Sequence, residues 1–289
     1  MPSDDLLPIG EVARLTGVNP VTLRAWERRY GLIKPERTAK GHRLYPHDQV
    51  QRVHDVLRWL ERGAAVSQVR ELLDNAAHAS TPVEGEWAER IAHMIDAVSR
   101  LAQRPLDHLL NQAMALYPAV TVCEYLMLPL LDTLSQRWQS HFDARLEQAF
   151  FNTWLRSKLG ARVYHDTHSS AGPCVLLART DEAPFDAEFW LCAWLLSSNG
   201  QPLEILESPV EPRQLRQAVE LLQPRAVLLH LGRRPDLAAW ARSLRELTVP
   251  KVLGGASLSL HANELEQLAL PQTQFFDTPP AALRCLLHP

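Results

Sequence analysis

The segment Ile9–Tyr45, IGEVARLTGVNPVTLRAWERRYGLIKPERTAKGHRLY, sets two helix stops and one helix start within a short stretch of chain. No other part of the sequence constrains the fold as tightly. Ile9, Val12, Ala13 and Leu15 recur near the helical period, which predicts a first helix with one apolar face. Thr16-Gly17 ends it, because glycine tolerates the left-handed cap conformation. Asn19 caps the next helix and Pro20 occupies its first helical position. Val21, Leu23, Ala25 and Trp26 supply apolar residues for packing, so Thr22, Arg24, Arg28 and Arg29 are expected to face outward. Gly31 stops the second helix. Leu32–Tyr45 then carries Pro35, Lys40-Gly41 and His42-Arg43 around a tight turn, the pattern of a basic hairpin-like wing.

A second helix bearing short polar and arginine side chains is what a helix-turn-helix sets in the major groove. Arginine either reads guanine edges or neutralises phosphates. Seven Lys/Arg fall between Arg24 and Arg43 against Glu27 and Glu36, a local balance of about +5 in a chain whose total is -3. Each arginine taken alone fits an ordinary solvated helix face. The ordered set of caps, stops and basic wing favours duplex DNA. Trp26 is expected in the core. For Tyr45 two roles stay open, packing and contact with a phosphate.

The remaining chain reads as further domains. At 289 residues, with 46% hydrophobic and 22% charged residues, it has room for two or three globular domains. No apolar run approaches the ~20 residues of a membrane span. The start MPSDDLLP lacks the basic and apolar parts of a signal peptide. Cys123, Cys174, Cys192 and Cys285 are scattered, which predicts reduced thiols in a cytoplasmic protein. Scattered histidines predict no metal site.

Ala76–Glu86 and Thr167–Pro173 read as linkers, giving domains at 1–77, 86–166 and 173–289. The middle one has helical periodicity throughout, with breaks near Pro105, Tyr117-Pro118 and His141–Asp143, and predicts a small four-helix bundle. Pro129 lies in an apolar stretch and is expected to kink its helix. In the last domain, apolar runs at Val175–Ala178, Leu203–Leu206, Ala226–Leu231, Lys251–Leu253 and Gln274–Phe276 alternate with amphipathic stretches. That alternation predicts a Rossmann-like, flavodoxin-type parallel sheet covered by helices, so the fold class is multidomain α plus α/β. Ligands in such sheets bind at the carboxyl ends of the strands, here Thr180–Phe185, His230–Pro235 and Gly254–Ser257. Gly254-Gly255 allows close backbone approach to a ligand, or simply makes a turn. No G-x-G-x-x-G follows the first strand, and Asp181, Glu182 and Asp186 read as solvated carboxylates, so no enzyme is expected.

The pieces IGEVARLTGV, PVTLRAWERRYGL and PERTAKGHRLY closely resemble the N-terminal domain of the MerR family of transcription regulators, and the resemblance continues through His47–Leu73. It implies a winged helix-turn-helix, a homodimer on a palindromic site in double-stranded promoter DNA, and engagement of RNA polymerase. By that resemblance Arg37, Lys40, His42, Arg43 and Tyr45 match the backbone-contacting wing. Thr22, Arg24, Arg28 and Arg29 lie on the recognition helix, with Asn19 at its start. The order of head, bundle and α/β domain is similar to the cobalamin-binding MerR-type photoreceptor regulators. Their cobalt-ligating histidine aligns with Phe185, and its companion glycine with Glu188. Their bundle motif, a Trp followed ten residues later by Glu-His, is departed from here: Trp138 is followed by Gln148-Ala149, with Glu147 one place early. Gly254 and Gly255 survive of that site. The whole resembles the MerR-type regulators of biofilm matrix and light responses that lack the vitamin ligand. What this implies is control by a protein, such as a cyclic-di-GMP signalling enzyme or a blue-light receptor, with no resident cofactor. Cobalamin sensing is the alternative.

Overall fold

A computed structural model describes residues 6–38, 42–61, 64–74, 84–140, 144–168, 170–180, 182–183, 185–232, 236–255 and 258–287. The chain forms two compact units, Met1–Gln148 and Ala149–Pro289.

In the first unit, strand β1 (Leu6–Pro8) leads into helix α1 (Ile9–Thr16). Gly17 closes α1 at φ 71°, its N–H bonding to the Ala13 carbonyl. Helix α2 (Pro20–Ala25) starts as the sequence predicts, the Asn19 side chain accepting from the Val21 N–H at 2.8 Å. It then widens into a π-type turn over Trp26–Tyr30 and stops at Gly31, φ 60°. The wing is a hairpin of β2 (Glu36–Arg37) and β3 (Arg43–Pro46). β1 adds to the other edge of β3, giving the order β1-β3-β2. A three-residue strand is too short to show a period, so the sequence gives no sign of β1. Helices α3 (His47–Glu61) and α4 (Val66–Asp74) complete the head.

Helices α5 (Glu84–Ser99) and α6 (Gln103–Leu116) follow, then α7 (Ala119–Val122), which runs through a second π-type turn, Cys123–Met127, into α8 (Leu128–Ser140). The break expected near Pro105 falls between α5 and α6, at Leu101, whose φ is +52°. Pro105 sits in the first turn of α6, where its missing N–H is not needed. Pro129 is the second residue of α8, just past the widened turn, which supplies the departure from regular geometry expected of it.

Two aromatic residues fasten the head to these helices. The buried Trp26 indole donates to the Leu116 carbonyl at the end of α6, 2.8 Å away. The Tyr117 hydroxyl accepts from the Val66 N–H that opens α4 and donates to Glu86 on α5, both at 3.1 Å. Burial, followed by the Glu86 charge, pushes the Tyr117 phenol well above its ordinary pKa, so it stays a donor. Trp87 packs on Tyr117 with ring centroids 4.5 Å apart.

Helix α9 (Ala144–His168) carries the chain into the second unit. There β4 (Val175–Arg179), β5 (Leu203–Leu206), β6 (Ala226–His230), β7 (Lys251–Gly254) and β8 (Thr273–Phe276) form one parallel sheet in the order β5-β4-β6-β7-β8. That is the flavodoxin-type order, with its switch point between β4 and β6. β4, β6 and β7 are buried on both faces, which is why they read as apolar runs, with Arg179, His230 and Lys251 as buried polar residues at their ends. Helices α10 (Ala187–Ser198) and α14 (Pro279–Leu287) pack together. Helices α11 (Pro212–Leu222), α12 (Leu237–Glu246) and α13 (Leu258–Gln267) contribute Leu215, Trp240, Leu244 and Leu265 to one apolar core with the strands. α10 is apolar all round because it is covered twice. Gly160 of α9 lets the Trp190 ring lie close, and the Arg156 guanidinium sits 5.7 Å from that ring.

Trp26→Phe removes the indole donor and leaves the Leu116 carbonyl without it. Denaturant titration is expected to show a loss of about 1–3 kcal/mol in unfolding free energy. Unchanged stability would show that this bond contributes nothing.

Candidate functional site

Residues four apart share one face of a helix, so the inward Trp26 carries Thr22 inward with it. Thr22, expected on the outer face, is accordingly 6% exposed. Leu23 and Trp26 are buried beside it, while Arg24, Arg28 and Arg29 are exposed. Among the described residues those three arginines hold no salt bridge, so their charge is available to a polyanion. Asn19 is exposed at the helix start. Val21, expected to pack, is instead 58% exposed. Sequence periodicity placed it on the wrong face because a six-residue helix is too short to fix its own phase.

Glu27 organises the wing. Its carboxylate takes the Arg43 guanidinium at 2.5 Å and the Arg37 guanidinium at 3.4 Å, with its own side chain 14% exposed. By the family resemblance these two arginines were expected to contact the DNA backbone. The structure pairs both with an acid, so their first role is to lock β2 and β3 against the π-type turn. One carboxylate against two guanidinium groups still leaves a positive balance. Arg37 is largely exposed, and Arg43 only partly so. His42 is exposed beside them, and Lys40 lies outside the described residues. Tyr45 is fully buried in β3, with its hydroxyl unpartnered among the described residues. Burial, and then the Glu27 charge, raises its pKa. Of the two roles left open for Tyr45, packing is the one it fills.

These pieces converge. Arg24 from α2, His42 and Arg43 from the wing, Leu44, and Pro8-Ile9 at the start of α1 line one recess of about 310 Å³. Pro8 caps α1 without a side-chain hydrogen bond, so the first amides of that helix have no cap acceptor. Cations beside helix amides make a local environment suited to an anionic oxygen.

The second candidate site was expected in two parts. On the bundle side, Trp138 is half-buried on α8, and Glu147 accepts two hydrogen bonds from Arg137, each 3.0 Å. On the sheet side, Phe185 precedes Asp186, the cap of α10, whose carboxylate accepts from the Phe189 N–H at 3.0 Å. The other carboxylate oxygen lies 2.9 Å from Nδ1 of His230 at the end of β6. Burial opposes ionisation of Asp186, but the His230 ring and the Phe189 amide outweigh it and hold the carboxyl below the ordinary aspartate range. Arg179, buried at the end of β4, donates to the Ala183 carbonyl in the same loop. His230 sits between the rings of Phe189 and Phe276, at 6.2 and 6.1 Å.

The two glycines answer to this packing. A Cβ on Gly254 would fall onto the Phe276 carbonyl, and one on Gly255, φ +130°, would meet the His230 ring at 2.9 Å. They are required by the approach of β8 and His230 whether or not a ligand is bound. Sequence reading missed Asp186 and His230 as a pair, because they are joined only by the parallel register of β4 and β6.

Glu27→Ala releases Arg37 and Arg43 while adding one net positive charge. The preference for a specific over a random duplex, read by fluorescence anisotropy, is expected to fall about two- to fivefold, as for a partly exposed ion pair. Random-duplex affinity should hold or rise. Equal weakening on both duplexes would contradict a wing-positioning role.

Residues 7–76 match the family model described as "MerR HTH family regulatory protein". The chain is 30% identical over 227 residues to the HTH-type transcriptional regulator MlrA of Escherichia coli (strain K12), covering 78% of this chain and 88% of that protein. It is 25% identical over 281 residues to the HTH-type transcriptional repressor CarH of Myxococcus xanthus, covering 91% and 93%. To the repressor CarA of the same organism it is 27% identical over 274 residues, covering 91% of each. These relatives are regulators of transcription and not enzymes. The chain belongs to the MerR family of DNA-binding transcription regulators.

Proposed function

We propose that this regulator binds promoter DNA as a homodimer through Asn19, Arg24, Arg28, Arg29, Arg37 and His42, with Arg43 positioning the wing. Its input is a protein, received by the residues beyond the head, and cobalamin is not its cofactor. It acts in the cytoplasm with RNA polymerase as its target. The partner class that the family resemblance suggests is a cyclic-di-GMP signalling enzyme or a blue-light receptor. No helix among the described residues is long and apolar enough to cross a membrane.

One observation carries the choice of input. At the switch point of the sheet, where an α/β fold takes its ligand, the described side chains engage one another. Asp186 caps α10, so that helix start is already satisfied by the chain's own carboxylate. His230 occupies the edge between β4 and β7, flanked by Phe189 and Phe276, and Gly255 is needed to admit it. Phe185 stands in the loop with no lone pair to offer a metal. These residues do not fit a corrin ligand set. Arg137 also engages Glu147 in the first unit.

The test is an absorption spectrum of the full chain after incubation with adenosylcobalamin and gel filtration in the dark. The expected result is no corrin band travelling with the protein. Stoichiometric retention of the chromophore would overturn protein-only control and establish the vitamin-sensing alternative.

A further inference from the structure

We propose that Val21 is a specificity-determining residue that reads the methyl group of a thymine in the major groove. The inference rests on α2 being the DNA-facing helix and adds to it a base and an atom.

Val21, Arg24 and Arg28 stand at i, i+3 and i+7, and all three are exposed, so they form one outward row on α2 and its π-type turn. The large apolar residues on the opposite side, Leu23 and Trp26, are buried. Val21 alone breaks the cationic character of the outward row, and it does so at the N-terminal turn. That turn is the part of a recognition helix that reaches base edges, whereas arginines further along can serve phosphates. An apolar side chain gains nothing from a phosphate. The apolar mark that a base pair offers in the major groove is the thymine C5 methyl. Valine also suits the task mechanically. It is branched at Cβ and holds essentially one χ1 rotamer in a helix, so its methyl groups point in a fixed direction and little side-chain entropy is lost on contact. The backbone under it is pinned as well, because the Val21 N–H is held by the Asn19 side chain at 2.8 Å.

The experiment uses the full chain and two changes, one on each molecule. A preferred duplex is first selected from a random library with the unaltered protein. Each thymine of one half-site is then replaced in turn by deoxyuridine, which removes only the methyl group. At one position the replacement is expected to weaken binding about fourfold, the value of burying one methyl-sized group. Val21→Ala should weaken binding to the thymine duplex by a similar factor and be indifferent to deoxyuridine at that same position. Val21 is exposed, so this variant keeps the fold, and an unchanged circular dichroism melt confirms it. A clear consensus in which Val21→Ala and the unaltered protein respond alike to every deoxyuridine would overturn the proposal and leave the DNA-reading role of α2 standing. A selection that returns no preferred sequence would remove that role and the proposal with it.

Discussion

An indole buried in protein has one polar atom to satisfy, and here the outer face of α2 is phased by how that is done. Trp26 points inward and donates to the carbonyl at the end of α6. From that one constraint Thr22 and Leu23 turn inward too, and Val21, Arg24 and Arg28 are left to form the outer row. The same bond ties the π-type turn that continues α2 to the end of α6. The Tyr117 hydroxyl bridges α4 and α5 close by, so the head is held at two points.

The second unit shows a different economy. Its sheet has the flavodoxin-type order, and at the ends of its central strands the described side chains bond to one another. The partly buried Asp186 carboxylate accepts from the Phe189 amide and lies 2.9 Å from the His230 ring, so it is engaged on two sides. The Arg156 guanidinium, the Glu207 carboxylate and the Trp190 indole form a second polar cluster, at the surface of α10 facing α9. Arg156 Nε donates to Glu207 at 2.7 Å and Trp190 Nε1 to the same oxygen at 3.1 Å.

Much of this was legible in the sequence, and the reasons are local. The caps at Gly17, Asn19 and Gly31 are chemical demands of single residues, and each lies where expected. The five strands stand close to their apolar runs because central parallel strands are buried on both faces. What could not be read depends on partners distant in the chain. Thr22 and Val21 exchanged faces because the indole that phases α2 finds its acceptor ninety residues away, at Leu116. The pairing of Arg43 with Glu27 was not legible because Glu27 lies sixteen residues before it in the chain. Gly254-Gly255 could be read as a cradle or a turn, and only the position of β8 decides that a strand and a histidine already claim the space.

The central claim is that the outer row of α2 meets the phosphate-rich surface of DNA in the phase set by Trp26. Binding of the selected duplex as a function of salt, for the unaltered protein and Arg28→Ala side by side, tests it most directly. Loss of one phosphate contact should make the log–log slope shallower by about 0.9 per contact. Superimposable slopes and affinities would contradict it, because an arginine in that row would then take no part in gripping DNA.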